Sequence, residues 1–202
     1  MGLRKKIKKF LYTRKFSKKN YIADISKKNI LITGANSGIG LALTKRLLEL
    51  DNKVLATYHK KSENLIDIKN ENLITVKYDQ SNLNDTEELE KKIKLISIDL
   101  IFNCAGVFGS SFEDQQIEKL DFNKFYEVLM INSISILKII QIILNNKKFE
   151  KNIQSLVNIS SDAGSIKLNN QGNAYMYRTS KTALNSITKN MTIDLNNRFK
   201  TT

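Results

Sequence analysis

The chain has 202 residues, of which 41% are hydrophobic, which is enough to bury one substantial core in a single domain. Its single cysteine, Cys104, excludes an intramolecular disulfide and fits a reducing compartment, so we expect a cytoplasmic protein. Residues 1–28 carry +10 of the net charge of +13 (11 Lys and Arg against one acid), so the nearly balanced remainder argues against nucleic-acid binding.

The first 28 residues form a basic N-terminal extension without any motif of a fold. Leu3, Ile7, Phe10 and Leu11 fall on one helical face with cations around them, which predicts weak contact with an anionic membrane surface. The alternative, which we favour, is a solvated, disordered arm. The extension has no apolar run of the kind that a secretory signal contains.

From residue 29 to residue 202, strand and helix patterns alternate, which predicts one α/β domain with a doubly wound, Rossmann-like parallel sheet. Strands are predicted near 29–33, 53–58, 73–77, 98–103 and 154–160. Helices are predicted near 39–50, 63–69, 84–95, 121–145 and 176–198. In such sheets, ligands bind beyond the carboxyl ends of the strands, close to the point where the strand order reverses.

A glycine cluster, Thr33-Gly34-Ala35-Asn36-Ser37-Gly38-Ile39-Gly40, joins the first strand to the first helix. A glycine-rich turn from strand to helix is the context that a dinucleotide site requires. Gly34 allows the turn, Gly38 lets the backbone come close to a pyrophosphate, and Gly40 lets the helix pack against the strand. The free N–H groups at the helix N-terminus would then bind the phosphates.

The end of the second strand predicts the choice of cofactor. An acid at this position would accept hydrogen bonds from a ribose 2′-hydroxyl and would repel a 2′-phosphate. The chain has His59, Lys60 and Lys61 there instead. This favours NADP(H) over NAD(H).

The most apolar predicted helix contains residues 131–144, and it includes Asn132, Lys138 and Gln141. We therefore expect no segment of bilayer-spanning length, and we expect a soluble protein. Apolar residues occur nearly all round this helix, so the sheet alone cannot cover them. One face should remain for a partner subunit, and we expect a homodimer.

Tyr177 and Lys181 are four residues apart, so they lie on the same face of the last predicted helix. An unperturbed tyrosine has a pKa of about 10, and a nearby cation favours the phenolate, which suits acid/base chemistry near neutral pH. Tyr175 has Thr179 four residues further on and lacks such a partner. Tyr177 with Lys181 is therefore a candidate pair for acid/base chemistry, although about one such pair would be expected by chance in a chain this rich in lysine.

Four clusters follow one another along the chain: the glycine cluster, Asn103-Cys104-Ala105-Gly106, Ser160-Ser161, and Tyr177 with Lys181. With Asn132 in a long helix, this order resembles the short-chain dehydrogenase/reductase family from about residue 29 onward. The stretches 159–166 and 174–185 are similar to C-factor-like carbonyl reductases. The resemblance implies an NADP(H)-dependent oxidoreductase that transfers a hydride between nicotinamide and a carbonyl or alcohol substrate.

The resemblance also implies a role for each catalytic residue. Tyr177 would be the acid/base, and Lys181 would hold the nicotinamide ribose and favour the phenolate. Ser161 would orient the substrate oxygen, and Asn132 would bind a water that relays the proton. Asp79 would contact the adenine. The implied cofactor-binding residues are Gly34, Asn36, Ser37, Gly38, Ile39, Gly40, His59, Lys60, Asp79, Asn103, Ala105, Gly106, Tyr177 and Lys181.

Members of this family normally continue beyond the Tyr-Lys helix with further strands. The resemblance therefore implies that the C-terminal strands are missing here and that the sheet ends at the 154–160 strand. This leaves a truncated, catalytically impaired dinucleotide-binding or interaction protein as one alternative. A 3-ketoacyl reductase is the alternative among enzymes.

Overall fold

Within the described residues, a parallel sheet of six strands, in the order β3-β2-β1-β4-β5-β6, forms the centre of the fold. The strands are β1 (Asn29–Thr33), β2 (Lys53–Tyr58), β3 (Leu73–Lys77), β4 (Leu100–Asn103), β5 (Ser155–Asn158) and β6 (Lys200–Thr201). The computed structural model of the chain describes residues 25–60, 63–146, 153–195 and 200–201. Most of the predicted basic extension, residues 1–24, therefore lies outside the described residues.

The strand order reverses at β1, which pairs in parallel with β2 on one side and with β4 on the other. This confirms the predicted doubly wound α/β fold. The carboxyl ends of β1 and β4 consequently lie side by side at the switch point, where such sheets bind their ligands.

The strand predictions are confirmed for β1, β2 and β3 and need correction at the other edge. β4 begins at Leu100 because Asp99 is occupied with Asn29, donating its N–H to the Asn29 carbonyl and accepting from the Asn29 N–H through its carboxylate. The sheet does not end at β5, since β6 pairs with it in parallel. The predicted sheet edge was therefore wrong.

The helices are α1 (Gly38–Glu49), α2 (Glu63–Ile66), α3 (Glu87–Leu95), α4 (Phe122–Leu129), α5 (Ser135–Asn145) and α6 (Tyr175–Asp194). A π-helical turn, Met130–Ile134, joins α4 to α5. The predicted 84–95 helix begins only at Glu87, because Asn82 accepts from the Asn84 N–H and forms a side-chain turn there. The predicted 63–69 helix ends at Ile66, and the predicted 176–198 helix ends at Asp194.

Strand alternation divides the apolar core into two layers, one on each face of the sheet. Leu31 and Leu55 belong to the layer that α3, α5 and α6 cover. Ile30, Ile32 and Val54 belong to the layer that α1 covers. Strands buried on both faces in this way are typical of parallel sheets.

The helical stretch Phe122–Asn145 is long and apolar enough to cross a membrane by length and composition, with a mean hydropathy of 1.8 over its most apolar 18 residues. The prediction that no segment reaches this length was wrong, because α4, the π turn and α5 run on as one 24-residue helix. Ile136, Ile139 and Ile143 are nevertheless buried in the same core layer as Leu31 and Leu156 of the sheet. The stretch therefore packs as a core helix of the α/β domain.

Candidate active site

A cleft of about 490 Å³ opens at the carboxyl ends of β1 to β4, beside the switch point. Its lining comes mostly from residues at or just after the ends of these strands and from the first turn of α1. The predicted cofactor-binding residues in its lining are Gly34, Asn36, Ser37, Gly38, Ile39, Gly40, His59, Lys60, Asp79, Ala105 and Gly106. Asn103, Tyr177 and Lys181 complete that prediction and do not line the cleft.

Gly34 and Gly40 form the tight turn from β1 into α1. Gly34 has a φ of +63°, and a Cβ there would be 2.7 Å from the Cα of Ala105. A Cβ on Gly40 would overlap the Gly34 carbonyl oxygen, so only glycine fits at that position. Gly38, in contrast, has nothing within 4 Å of where its Cβ would be. This open space at the N-terminus of a 12-residue helix fits a pyrophosphate group.

Thr33 and Asn103 hold the floor of the cleft. Thr33 Oγ1 donates to Asn103 Oδ1 at 2.8 Å and accepts from the N–H groups of Cys104 and Ala105, each at 3.1 Å. Asn103 Nδ2 donates to Asn158 Oδ1 at 2.9 Å. Asn103 is buried and bonded in this way, so it positions the residues that line the cleft. Its predicted contact with the cofactor stays a prediction.

Asp79 lies in the cleft lining, where Ser81 and His59 hold its carboxylate. Its Oδ1 accepts from the N–H and the Oγ of Ser81 at 2.9 and 2.7 Å, and its Oδ2 lies 3.4 Å from His59 Nε2. Burial acts to raise the pKa of Asp79, but the Ser81 hydrogen bonds and the charges of His59 and Lys77 outweigh it and lower the pKa. Asp79 therefore offers an ionised acceptor to a bound group.

Lys181 places a buried ammonium group beside the cleft. The residue is 5% exposed, and its Nζ donates to the Ile159 carbonyl at 2.8 Å. Burial lowers the pKa of Lys181. Nζ lies 5.8 Å from the centre of the Tyr177 ring and 3.5 Å from where a Cβ on Gly106 would be. An ammonium has three N–H donors, so those not bonded to Ile159 can donate to a ligand next to Gly106.

Asn132 lies in the π turn, a local geometry that is frequent at functional sites, and its side chain is fully buried. Its Oδ1 accepts from the Val107 N–H at 2.8 Å, and its Nδ2 donates to the Val107 carbonyl at 2.8 Å and to Ser180 Oγ at 2.9 Å. The amide therefore ties the segment after β4 to α6. Its Oδ1 keeps a second lone pair, so the predicted water relay stays a prediction.

Ser161 caps a short 3-10 turn, Asp162–Gly164, that follows β5. Its Oγ accepts from the Ala163 N–H at 3.1 Å and lies 3.1 Å from Asp162 Oδ1, to which it donates. The turn packs directly on α6, since a Cβ on Gly164 would be 2.8 Å from the Lys181 carbonyl oxygen. The hydroxyl of Ser160 is bonded elsewhere, to Asn185 Oδ1 at 2.6 Å.

Tyr177 lies in the first turn of α6 with its ring half-buried. The ring packs against Phe108, with the ring centres 5.0 Å apart. The helix begins in strained backbone, because Asn173 and Ala174 have φ angles of +54° and +50°, in the region that favours glycine. Strain of this kind persists where the surrounding structure holds it, and it is frequent at active sites.

Several cleft-lining residues are absent from the sequence-based prediction. Some follow the strands, and their position at the carboxyl ends was the signal that could have found them. Others come from α4 and the π turn, where Lys124 Nζ donates to Glu127 Oε2 at 2.7 Å, and no sequence pattern marks them. The additional lining residues are Thr57, Tyr58, Tyr78, Gln80, Cys104, Val107, Gly109, Lys124, Glu127 and Ile131.

Comparison with known proteins assigns the family. A family profile described as short chain dehydrogenase matches residues 28–199, which is nearly the whole domain. The chain belongs to the short-chain dehydrogenase family. This match confirms the resemblance drawn from the motifs. The matched residues include the glycine turn, the buried Lys181 and the Tyr177 ring beside it.

Among relatives in the short-chain dehydrogenase family, a Haemophilus influenzae protein named "Probable NADP-dependent dehydrogenase" is 28% identical over 141 residues, covering 66% of this chain and 53% of its own length. The 3-oxoacyl-(acyl-carrier-protein) reductase of Rickettsia prowazekii is 31% identical over 180 residues, covering 87% of this chain and 69% of its own length. The chain thus spans about half of the first relative and about two thirds of the second.

A solved structure of the same fold is that of the carbonyl reductase Sniffer of D. melanogaster. It superposes with a TM-score of 0.76 at 27% identity, over 85% of this chain and 77% of that protein. This likeness agrees with the parallel, doubly wound sheet described above.

Proposed function

We propose that the chain is an NADP(H)-dependent oxidoreductase that interconverts a small carbonyl compound and its alcohol. The observation that carries the proposal is the buried ammonium of Lys181, which lies beside both the Tyr177 ring and cleft-lining Gly106. Burying a charge is unfavourable unless the group is paired or hydrogen-bonded, so a buried ammonium beside a cleft is a candidate functional group.

The residues of the cleft fit a dinucleotide. The open space at Gly38 and the free N–H groups of α1 would hold the pyrophosphate, and the Asp79 carboxylate would accept from the adenine. Lys181 would donate to the nicotinamide ribose through the ammonium hydrogens that Ile159 leaves free. A bound nicotinamide supplies the hydride for the reaction.

The chain's own side chains would manage the proton. In the reducing direction, the Tyr177 hydroxyl donates its proton to the oxygen that gains negative charge, and the Lys181 cation stabilises the phenolate that remains. The Ser161 hydroxyl, which donates to Asp162 Oδ1 at 3.1 Å, would turn away from Asp162 and donate to the same substrate oxygen. Asn132 would hold a water through the second lone pair of its Oδ1.

The end of β2 supports NADP(H) over NAD(H). His59 and Lys60 are exposed there and line the cleft, and no acidic residue stands among residues 57–61 to repel a 2′-phosphate. The name of the Haemophilus influenzae relative points to the same cofactor for that protein.

A second candidate function is reduction of a 3-oxoacyl thioester. The Rickettsia prowazekii reductase carries that activity in its name and matches 87% of this chain. The same Tyr177 and Lys181 would serve this reaction, so the two candidates differ only in the groups that flank the carbonyl.

We also propose a cytoplasmic homodimer. Tyr126 on α4, Leu137 on α5 and Ile193 on α6 are exposed apolar residues. An isologous dimer is the commonest way to cover such residues. The partner in the reaction is a small carbonyl or alcohol, with no role for nucleic acid.

The test is NADPH oxidation by the full chain with carbonyl substrates, compared with the variants Tyr177→Phe and Tyr175→Phe. We expect Tyr177→Phe to abolish turnover while NADPH, followed by its fluorescence, still binds within about twofold, because only the proton donor is lost. Tyr175→Phe is the matched control and should remain active. If the wild-type chain binds NADPH but turns over neither ketones nor 3-oxoacyl thioesters, the catalytically impaired alternative is correct.

A further inference from the structure

The segment between β4 and α4 places one phenylalanine ring against Tyr177 and a second ring against the first. Phe108 packs on the Tyr177 ring with centres 5.0 Å apart and planes tilted by 44°, and Phe112 packs on Phe108 at 5.0 Å and 51°. We call Phe108, Phe112 and Tyr177 the ring cluster. Its two phenylalanines are 37% and 61% exposed, so their apolar surface is open to a further group.

Gln115 holds the ring cluster together. Its side chain is fully buried, and its Nε2 donates to the carbonyls of Phe108 and Ser110, each at 3.1 Å. Its Oε1 accepts from the Tyr177 N–H at 3.3 Å. That N–H belongs to the first turn of α6, whose donors have no partner within the helix. One amide therefore satisfies the start of the catalytic helix and fixes the backbone that carries Phe108.

A second amide, that of Asn173, joins the segment that carries Phe112 to the start of α6. Asn173 Nδ2 donates to the Phe112 carbonyl at 3.0 Å, and its Oδ1 accepts from the Ala174 N–H at 2.6 Å. The loop is also closely packed, since a Cβ on Gly109 would be 2.9 Å from Val128 Cγ2. The rings of Phe108 and Phe112 are thus held at a defined position relative to Tyr177.

We propose that the ring cluster makes the site selective for carbonyl compounds with an aromatic substituent, and that Gln115 is the positioning residue that sets this selectivity. The proposal rests on the proposed function, in which the carbonyl oxygen binds at the Tyr177 hydroxyl. A substituent on the side of Phe108 must then contact the exposed phenylalanine rings.

An aromatic substituent suits these rings better than a saturated one of equal size. Aromatic pairs favour tilted or offset arrangements with centres about 4.5–7 Å apart, and these are worth about 0.5–1.5 kcal/mol beyond the burial of area. The ring cluster already shows this tilted spacing twice. A phenyl group bound beside Phe108 would add a further tilted ring pair to these two.

The experiment compares acetophenone with cyclohexyl methyl ketone, which has the same number of carbon atoms, in the full chain with NADPH. For Phe108→Ala and Phe112→Ala, we expect the kcat/KM for acetophenone divided by that for cyclohexyl methyl ketone to fall about three- to tenfold. The fall should come from a higher KM for acetophenone. Phe122→Ala is the matched control, because Phe122 is 64% exposed, close to the 61% of Phe112, but lies outside the ring cluster. Its ratio should equal that of the wild-type chain.

A double-mutant cycle tests Gln115. Gln115→Met removes the three hydrogen bonds at similar volume, and we expect it to lower the same ratio as Phe108→Ala does while NADPH affinity stays within about twofold. The double variant, Gln115→Met with Phe108→Ala, should lose no further selectivity, because both changes act through the Phe108 ring. Additive losses would show that Gln115 has only a general structural role.

Binding of acetophenone to the chain, with and without NADP⁺, gives a readout that does not need turnover. Saturation-transfer NMR should show phenyl signals that Phe108→Ala and Phe112→Ala weaken and that Phe122→Ala leaves unchanged. If these signals appear without any turnover, the proposed function fails while the aromatic site stands. If turnover occurs and neither the ratio nor the signals respond to Phe108→Ala and Phe112→Ala, the aromatic site is wrong.

Discussion

The Nζ of Lys181 lies 5.8 Å from the centre of the Tyr177 ring, inside the domain and on the same helix. Burial lowers the pKa of Lys181 from 10.5, so its ammonium loses the proton at a lower pH than an exposed lysine does. In the proposed mechanism, the charged form of Lys181 stabilises the phenolate and holds the ribose. The lowered pKa should therefore shift the loss of activity on the alkaline side to a lower pH.

As the pH rises, we therefore expect kcat/KM to begin to fall at a lower pH than that at which an exposed lysine titrates. Lys181→Met should lower kcat about 10²–10⁴-fold, the range typical for loss of general acid/base assistance. Lys181→Arg keeps its charge at all accessible pH values and should move the alkaline decline to higher pH. The measurement is a pH–rate profile of the three proteins, and an alkaline limb that is identical in all of them would contradict the role of Lys181.

The end of β2 should determine the preference for NADPH. Lys60→Ala should weaken NADPH binding about tenfold and leave NADH binding nearly unchanged, because only NADPH carries the 2′-phosphate that a cation there attracts. Lys53→Ala is the matched control, since Lys53 is an exposed lysine at the opposite end of the same strand. Fluorescence titration measures both affinities, and tighter binding of NADH by the wild-type chain would refute the preference.

Cys104 should report on cleft occupancy. It lines the cleft, and burial raises the pKa of its thiol to about 11. Since the thiolate is the reactive form, alkylation by iodoacetamide at pH 8 should be about 100-fold slower than that of a free thiol and should rise about tenfold per pH unit. NADP⁺ should slow it further by covering the cleft. Equal rates with and without NADP⁺ would show that the dinucleotide binds elsewhere.

The basic extension should be separable from cofactor binding. A chain shortened to begin at Ser26 loses nine Lys and Arg and should keep its fold and its NADPH affinity, because β1 begins only at Asn29. If the extension contacts membranes, only the full chain should sediment with anionic vesicles, and this binding should weaken as salt rises. Equal sedimentation of the two chains would remove the membrane-surface hypothesis.

The exposed apolar residues of α4, α5 and α6 should give a dimer. Tyr126, Leu137 and Ile193 are exposed large apolar residues on α4, α5 and α6. We expect a dimer at micromolar concentration and a shift to monomer in Leu137→Asp, because a buried unpaired charge is costly. Light scattering coupled to size exclusion measures both, and a wild-type monomer would contradict the prediction.

The glycine turn, the first three strands and the Tyr177/Lys181 pair could be predicted from the sequence because each depends on neighbouring residues. Strand alternation, helical spacing and the backbone freedom of glycine act over a few positions, so their patterns survive in the linear chain. The order of the motifs also indicated the family, and the family profile confirmed it.

Other features depend on contacts between distant parts of the chain. The hydrogen bond from the Tyr177 N–H to Gln115 spans 62 positions, and the one from Thr33 to Asn103 spans 70. The segment around Gln115 has no helical or strand period, so nothing local predicts where its side chain will lie. Only packing of this segment against α4 and α6 decided that a buried glutamine would join the Phe108 carbonyl to the first turn of α6. A buried amide must find its partners wherever the folded chain supplies them.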